Sequence, residues 1–266
     1  MKKSLIIGAA MLDIVMQVDH LPEKGGDVYA RSQEMTVGGC AYNVADIVKR
    51  FDVPYTLFAP IGTGFYADFI ANELRQSGHE SPIRTRDGDN GYCLCMVEAD
   101  GERTFLTLPG VECSFQKAWF SQINPSEYDS VYVSGYEVEG EGGSAIVSFL
   151  EDNPGLTVYY APGPRITYIP DELHQRIFAL HPVLHLNEKE AVEFTGKPEY
   201  GEAAKMLYAL TKNTVIVTLG SNGACVFNGE KKRIPSEKAK VIDTIGAGDS
   251  NIGAIIAMRK LGSSME

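Results

Sequence analysis

Short runs of β-branched and aliphatic residues recur along this chain, separated by helical patterns, and that alternation constrains the fold more than any other feature. Residues 5–9, 55–60, 130–134, 157–160, 183–186 and 214–219 read as buried strands. Residues 41–51 read as a helix with Val44, Ile47, Val48 and Phe51 on one face, and further helices are expected at about 65–77, 142–150, 188–195 and 201–210. A strand that is apolar throughout must be covered on both sides. Strand, helix, strand in repetition therefore predicts an α/β fold with a mostly parallel central sheet between helical layers. At 266 residues the chain is long enough to bury such a core as one large domain.

Two stretches break the rhythm. Residues 14–37 and 91–108 carry the alternation and charge of exposed antiparallel strands, the second (GYCLCMVEADGERTFLTL) with a turn at Asp100-Gly101. They are expected to form a small projecting sheet, either a lid or an edge hairpin pair that pads the core. A net charge of −11 argues against DNA, RNA or an anionic membrane as partner, since those polyanions demand a basic face. The five cysteines (Cys40, Cys93, Cys95, Cys113, Cys225) make no disulfide framework, which favours a reducing, cytoplasmic setting. Cys93 and Cys95 should share a strand face, but no second Cys/His pair follows at metal-ligand spacing. The opening MKKSLIIG begins like a signal sequence, yet Asp13 interrupts the apolar stretch too early for one, or for a membrane span.

Near the end of the chain, Gly246, Ala247 and Gly248 lead into a helix beginning near Asp249. Small residues at a helix start leave backbone N–H groups free to converge on an anion, and the helix dipole adds to them. An acid inside such a hole competes with the anion. Its presence is explained if Asp249 takes a proton from a hydroxyl about to attack phosphorus, while the amides neutralise the transferred group. The other explanation is structural: Asp249 N-caps the helix and the glycines serve a tight turn.

Asp-Thr-Ile-Gly-Ala-Gly-Asp-Ser at 243–250 resembles the C-terminal signature of the PfkB, or ribokinase-like, kinases of sugars and nucleosides. Val-Gly-Gly-Cys-Ala-Tyr-Asn-Val-Ala at 37–45 is similar to that family's glycine-pair-plus-asparagine signature, and Gly8 followed by Asp13 to its first-strand pattern. Asn187-Glu188-Lys189-Glu190 looks like its Asn-x-x-Glu motif, and Thr218-Leu219-Gly220-Ser221-Asn222-Gly223 like its nucleotide loop. The matches stand in the family's order over nearly the whole chain, and the likeness is greatest to family sugar kinases of unassigned substrate.

The resemblance implies a ribokinase-like three-layer sandwich, with 1–266 as one kinase domain and about 14–37 and 91–108 as its β-sheet lid. It implies transfer of the γ-phosphoryl group of ATP to a sugar hydroxyl, with Asp249 as general base and Gly246, Ala247 and Gly248 as the anion hole. Asp13, Gly38, Gly39 and Asn43 would bind the sugar: a carboxylate accepts from neighbouring hydroxyls, glycines allow close approach, and an amide both donates and accepts. Asn187, Thr218, Gly220 and Gly223 would attend the nucleotide, and Glu190 would hold Mg²⁺ through water. The structural alternative for Asn187 and Glu190, three apart on one helix face, is an ordinary solvated helix start.

Arg165 corresponds to the arginine of an Asp-x-Asn-x-Arg pattern in some sugar-acid kinases of the family, but Ala161 and Gly163 replace the Asp and Asn. It either helps neutralise phosphate or binds a surface acid. Family members usually continue with helices that complete the adenine pocket and part of a K⁺ site. This chain ends at Glu266, so those helices are expected to be missing, and Asp243 and Ile245 match only backbone K⁺ positions. A homodimer through the lid is expected. A dehydrogenase is disfavoured because the loop after Gly8 lacks the further glycines of the dinucleotide fingerprint. A ribonucleoside or pseudouridine-like nucleoside kinase, and a non-catalytic sugar-binding protein on the same fold, stay open.

Overall fold

A computed structural model describes residues 1–238 and 244–263. The chain runs through β1 (Lys3–Ile7), β2 (Met11–Gln17), β3 (Ser32–Gly38), α1 (Cys40–Arg50), β4 (Tyr55–Phe58), α2 (Phe65–Gln76), β5 (Tyr92–Val97) and β6 (Arg103–Leu108). It continues with β7 (Tyr128–Ser134), α3 (Gly135–Glu139), α4 (Gly143–Glu151), β8 (Thr157–Ala161), α5 (Asp171–Ala179), β9 (Val183–Asn187) and α6 (Glu188–Thr195). Then come α7 (Tyr200–Thr211), β10 (Val215–Thr218), β11 (Ala224–Phe227), β12 (Lys231–Ile234) and α8 (Ala247–Lys260).

An eight-stranded sheet has the order β12-β11-β10-β9-β8-β7-β1-β4. It is parallel from β4 to β10 and antiparallel across β10, β11 and β12. Alternate residues of one strand feed opposite cores, as strand geometry requires. In β1, Leu5 and Ile7 join the cluster with Val131 and Val133 of β7, whereas Ile6 joins Tyr132 in the other. The second cluster takes Ala41, Val44, Ala45 and Val48 of α1 with Ile252, Ile256 and Ala257 of α8. The result is a three-layer sandwich with helices on both faces. On the second face, α1 and α8 pack tightly: a Cβ on Gly253 would stand 2.9 Å from the Ile47 Cβ. That close approach sets the N-termini of the two helices side by side.

The strands and helices expected from periodicity appear within a few residues of their predicted ends. Not foreseen are the five-residue α3, the β11–β12 hairpin around Asn228-Gly229, and α5, whose Ile177 and Phe178 pack into the core. The projecting sheet also differs in pairing. Its order is β3-β2-β5-β6, and the central pair β2–β5 is parallel, with antiparallel strands only on the flanks. Both central strands run outward from the body, so they must lie parallel, and β3 and β6 flank them in the opposite sense. Residues 18–31, with Pro22, Gly25 and Gly26, form no strand.

One buried knot ties the two points where this sheet leaves the body. The Asn90 amide donates to the carbonyls of Pro60 (2.9 Å) and Ala10 (3.3 Å) and accepts from the Gly62 N–H (2.8 Å). Beside it the wholly buried Glu112 carboxylate accepts from the N–H groups of Gly91 (2.9 Å) and Gly110 (2.8 Å). Burial pushes the Glu112 carboxyl up; its backbone donors pull the other way.

Candidate active site

The carboxyl ends of parallel strands are where ligands bind in open α/β sheets. Ala161, Asn187 and Thr218, the last residues of β8, β9 and β10, line a cavity of about 860 Å³ there. Gly246, Ala247, Gly248 and Asp249, from the start of α8, line it too, with Glu190, Cys40, Tyr136, Arg165, Lys189 and Phe105. Gly220 and Gly223 lie in an adjoining groove, shared with Thr218, Ala247 and Gly248 and closed by Ile234, Pro235 and Ser236.

Gly246 takes the N-cap position of α8 at φ 66, a left-handed conformation that suits glycine. Asp249 is therefore the third residue into the helix, which removes the N-cap explanation for it. Its Oδ2 accepts from the Asn43 amide at 2.8 Å, and the Cys40 thiol also bonds to it. Burial raises the Asp249 carboxyl above the usual range, and these two donors oppose the rise. The Ala247 amide turns back to the Thr244 carbonyl (3.2 Å). Gly248 and Asp249 fall in the first turn, where N–H groups have no intrahelical acceptor. Below them the buried His185 is held near pKa 4 by burial, hence neutral, and its Nε2 meets the Asn251 Oδ1 at 3.0 Å.

Asp13, Gly38, Gly39 and Asn43 do not line the cavity itself; they gather beyond its Cys40–Asp249 end. Gly39 has φ 100, and a Cβ there would come within 2.6 Å of the Ala9 carbonyl oxygen. The Asp13 carboxylate lies so close over Gly38 that a side chain at that position would overlap it. Burial pushes the Asp13 carboxyl up to about 6.

At the far end, Asn187 and Glu190 form a reciprocal capping box. The Asn187 Oδ1 accepts from the Glu190 N–H (2.8 Å), and Glu190 accepts from the Asn187 N–H (2.9 Å) and amide (2.7 Å). The helix-start explanation is thus realised, in residues that also face the cavity. Asn187→Ala is expected to cost about 0.5–2 kcal/mol, read as a lower denaturation midpoint. An unchanged midpoint would show that the cap carries no stability.

Among the described residues no group of three or more His, Cys, Asp or Glu stands together as a metal cage. A single carboxylate such as Glu190, with water and phosphate oxygens, fits Mg²⁺, which keeps much of its own water. Asp243 lies outside the described residues, and Ile245 sits exposed on the turn before α8.

Several residues here carried no local sequence signal. Glu137 is buried and pushed up to about 7 by that burial; it accepts from the Ala9 N–H (2.9 Å) and the Ser134 hydroxyl. Glu139 pairs with Arg165. Phe105 borders the cavity from the projecting sheet, while Tyr92 of the same sheet packs on Tyr66 of α2 at 5.1 Å.

Parallel sheet, projecting β-sheet and acid-bearing helix start together define a ribokinase-type phosphotransferase. The crystal structure of Thermotoga maritima ribokinase has the same fold, with a TM-score of 0.85 and 24% identity over 99% of this chain and 88% of that one. Arabidopsis thaliana ribokinase, complexed with ribose and ATP, gives a TM-score of 0.78 at 21% identity, over 99% and 87%. The sugar kinase YegV of Escherichia coli K12, itself uncharacterised, is 36% identical over 258 residues, 95% of this chain and 80% of that one. The chain belongs to the pfkB family of carbohydrate kinases, whose pattern matches residues 1–266. Kinases of this family phosphorylate an alcohol group and use ATP, typically with Mg²⁺. Among the described residues no helix is long and apolar enough to cross a membrane.

Proposed function

We propose that this chain transfers the γ-phosphoryl group of ATP to a hydroxyl of a sugar or sugar-like acceptor, with Asp249 as general base. The observation that carries this is the position of Asp249: on the first turn of α8, held by Asn43, at one end of a cavity that reaches Asn187, Glu190 and Thr218. The acceptor lies over Asp13, Gly38, Gly39 and Asn43, with its reactive hydroxyl against Asp249. The phosphates lie along the start of α8, where the amides of residues 246–249, chiefly Gly248, take the charge of the transferred group. Thr218, Gly220 and Gly223 border the rest of the nucleotide. Glu190 would hold Mg²⁺, which would supply neutralisation of phosphate charge there. Potassium dependence of turnover tests the backbone K⁺ site expected at Asp243 and Ile245.

The sheet β3-β2-β5-β6 serves as a lid that keeps water from the phosphoryl group. Support comes from β6: Phe105, Leu106 and Leu108 are all exposed there, and Phe105 borders the cavity. A homodimer through the lid would cover those leucines, and light scattering reads it directly. The setting is cytoplasmic, in keeping with five cysteines that make no disulfide framework in the sequence.

The test is an ADP-release screen of sugars and nucleosides with ATP and Mg²⁺. Release stimulated by a sugar supports the reading; stimulation by nucleosides alone would make the chain a nucleoside kinase. Binding without release under any acceptor would make it a sugar-binding protein.

Acidity supplies a second check on the acceptor end. Ionised, Asp13 accepts charge-assisted hydrogen bonds from two neighbouring hydroxyls; protonated, it accepts more weakly and one oxygen becomes a donor, so acceptor affinity should fall as pH drops below about 6. Stability moves the other way: a carboxyl raised by burial favours the folded state when protonated, so that contribution is lost as pH rises from the ordinary carboxylate range through about 6. Asp13→Asn should bind weakly at every pH and show neither trend. An acceptor affinity flat from pH 7 to 5 in the unaltered protein would remove Asp13 from the sugar subsite.

A further inference from the structure

Among the described residues, one arginine and one lysine line the cavity, Arg165 and Lys189. Both face carboxylates already. Lys189 lies loosely 3.8 Å from Glu193 on the exposed face of α6. Arg165 is held far more firmly. Its Nη2 donates to the Glu139 Oε1 at 2.5 Å and its Nε donates to Oε2, a two-point fork in which both side chains are largely covered. The guanidinium also lies 4.3 Å from the Tyr168 ring centroid. Arg165 shares the cavity wall with Tyr136, Cys40 and Asp249, the last of these at the proposed acceptor end.

We infer that Glu139 is a specificity residue: by filling the fork of Arg165 it makes the acceptor an uncharged polyol and shuts out sugar acids and sugar phosphates. A planar guanidinium is the side chain best shaped to take a carboxylate or phosphate in two-point fashion. Here that edge is taken by the chain's own acid. A second carboxylate arriving with the acceptor must either displace Glu139, leaving it partly buried and unpaired, or share one cation with it at like-charge distance. Asp13 and Asp249 add further negative charge toward the same end, and among the described residues no cation is paired with either. A neutral sugar meets none of these costs, and its hydroxyls can donate to the acids present. The inference rests on the sugar-kinase reading of this cavity and goes beyond it by naming which sugars are refused.

The test compares three full-length proteins: unaltered, Glu139→Gln, and Glu139→Gln with Arg165→Met. Acceptors are matched aldoses and aldonates of five and six carbons. ADP release gives the ratio of kcat/KM for aldonate over aldose. The unaltered protein should favour the aldose, Glu139→Gln should raise the ratio about tenfold or more, and the double variant should bring it back. An aldonate preference in the unaltered protein overturns the inference, as does no gain in Glu139→Gln or a gain that survives loss of the arginine. Should no acceptor release ADP, the kinase reading fails, and the inference is read from calorimetry with D-gluconate. Tighter binding to Glu139→Gln, abolished in the double variant, supports it; equal binding by all three overturns it.

Discussion

Asp249→Asn is expected to lower kcat by about 10²-fold or more and to leave the fold intact. The two side chains have the same shape, and an amide oxygen at that position still accepts from the Asn43 amide. What is lost is the capacity to take a proton from the attacking hydroxyl. The burial that raises the Asp249 carboxyl also means that removing its charge relieves a cost in the folded state. Thermal stability should therefore hold or rise while turnover collapses, and nucleotide binding should persist. Turnover near that of the unaltered protein would end the general-base assignment.

Gly248→Ala should have the second largest effect, and its value lies in what it leaves alone. A methyl at Gly248 would meet nothing closer than the His185 Cε1 at 4.0 Å, so the protein itself has room for it. In the first turn of a helix, alanine is also the better residue by about 1 kcal/mol. The variant should fold at least as well as the parent. Gly248 nevertheless lines the cavity, so the methyl takes up space where the transferred phosphoryl group is proposed to sit. Losing one such donor costs about 10²–10³ in kcat. Gly246→Val is the contrasting case, because its φ of 66 and an Asn43 Nδ2 at 3.3 Å strain the backbone in the absence of any ligand. There stability and turnover fall together. If Gly248→Ala keeps full turnover, the amides near it do not hold the group in flight.

These expectations depend on features of unequal visibility in the sequence. The parallel strands were legible because each is a compact apolar run, and Leu5, Ile6 and Ile7 in succession leave no exposed face. Asp13, Asn43 and Asp249 stood out in the sequence because the glycine-bearing motifs around them resemble those of a kinase family, while local spacing alone left a cap or loop role open for each. Long-range partners were not. Glu137 reaches the Ala9 amide across 128 residues, and nothing near either position advertises the bond. The Glu139–Arg165 fork hides in the same way, joining α3 to the turn after β8. The parallel β2–β5 pairing joins segments far apart in the chain, so local alternation reveals strands but not their partners. The short α3 offers too few residues for a period to show.

The buried knot of Asn90 and Glu112 has a mechanical consequence. The root at Ala10 is held by Asn90 and the root at Gly91 by Glu112, and the Asn90 amide in turn donates to the Glu112 carboxylate (3.3 Å), so the sheet is attached as a plate on a single axle and not as two independent arms. The β2 arm, with seven residues, extends about 23 Å from that axle at the rise of an extended strand. A swing of about 10° there would carry the free edge through about 4 Å, roughly the breadth of a water molecule and more. For a sheet acting as the proposed lid, a displacement too small to break any bond in the axle would then decide whether bulk water reaches the proposed acceptor site.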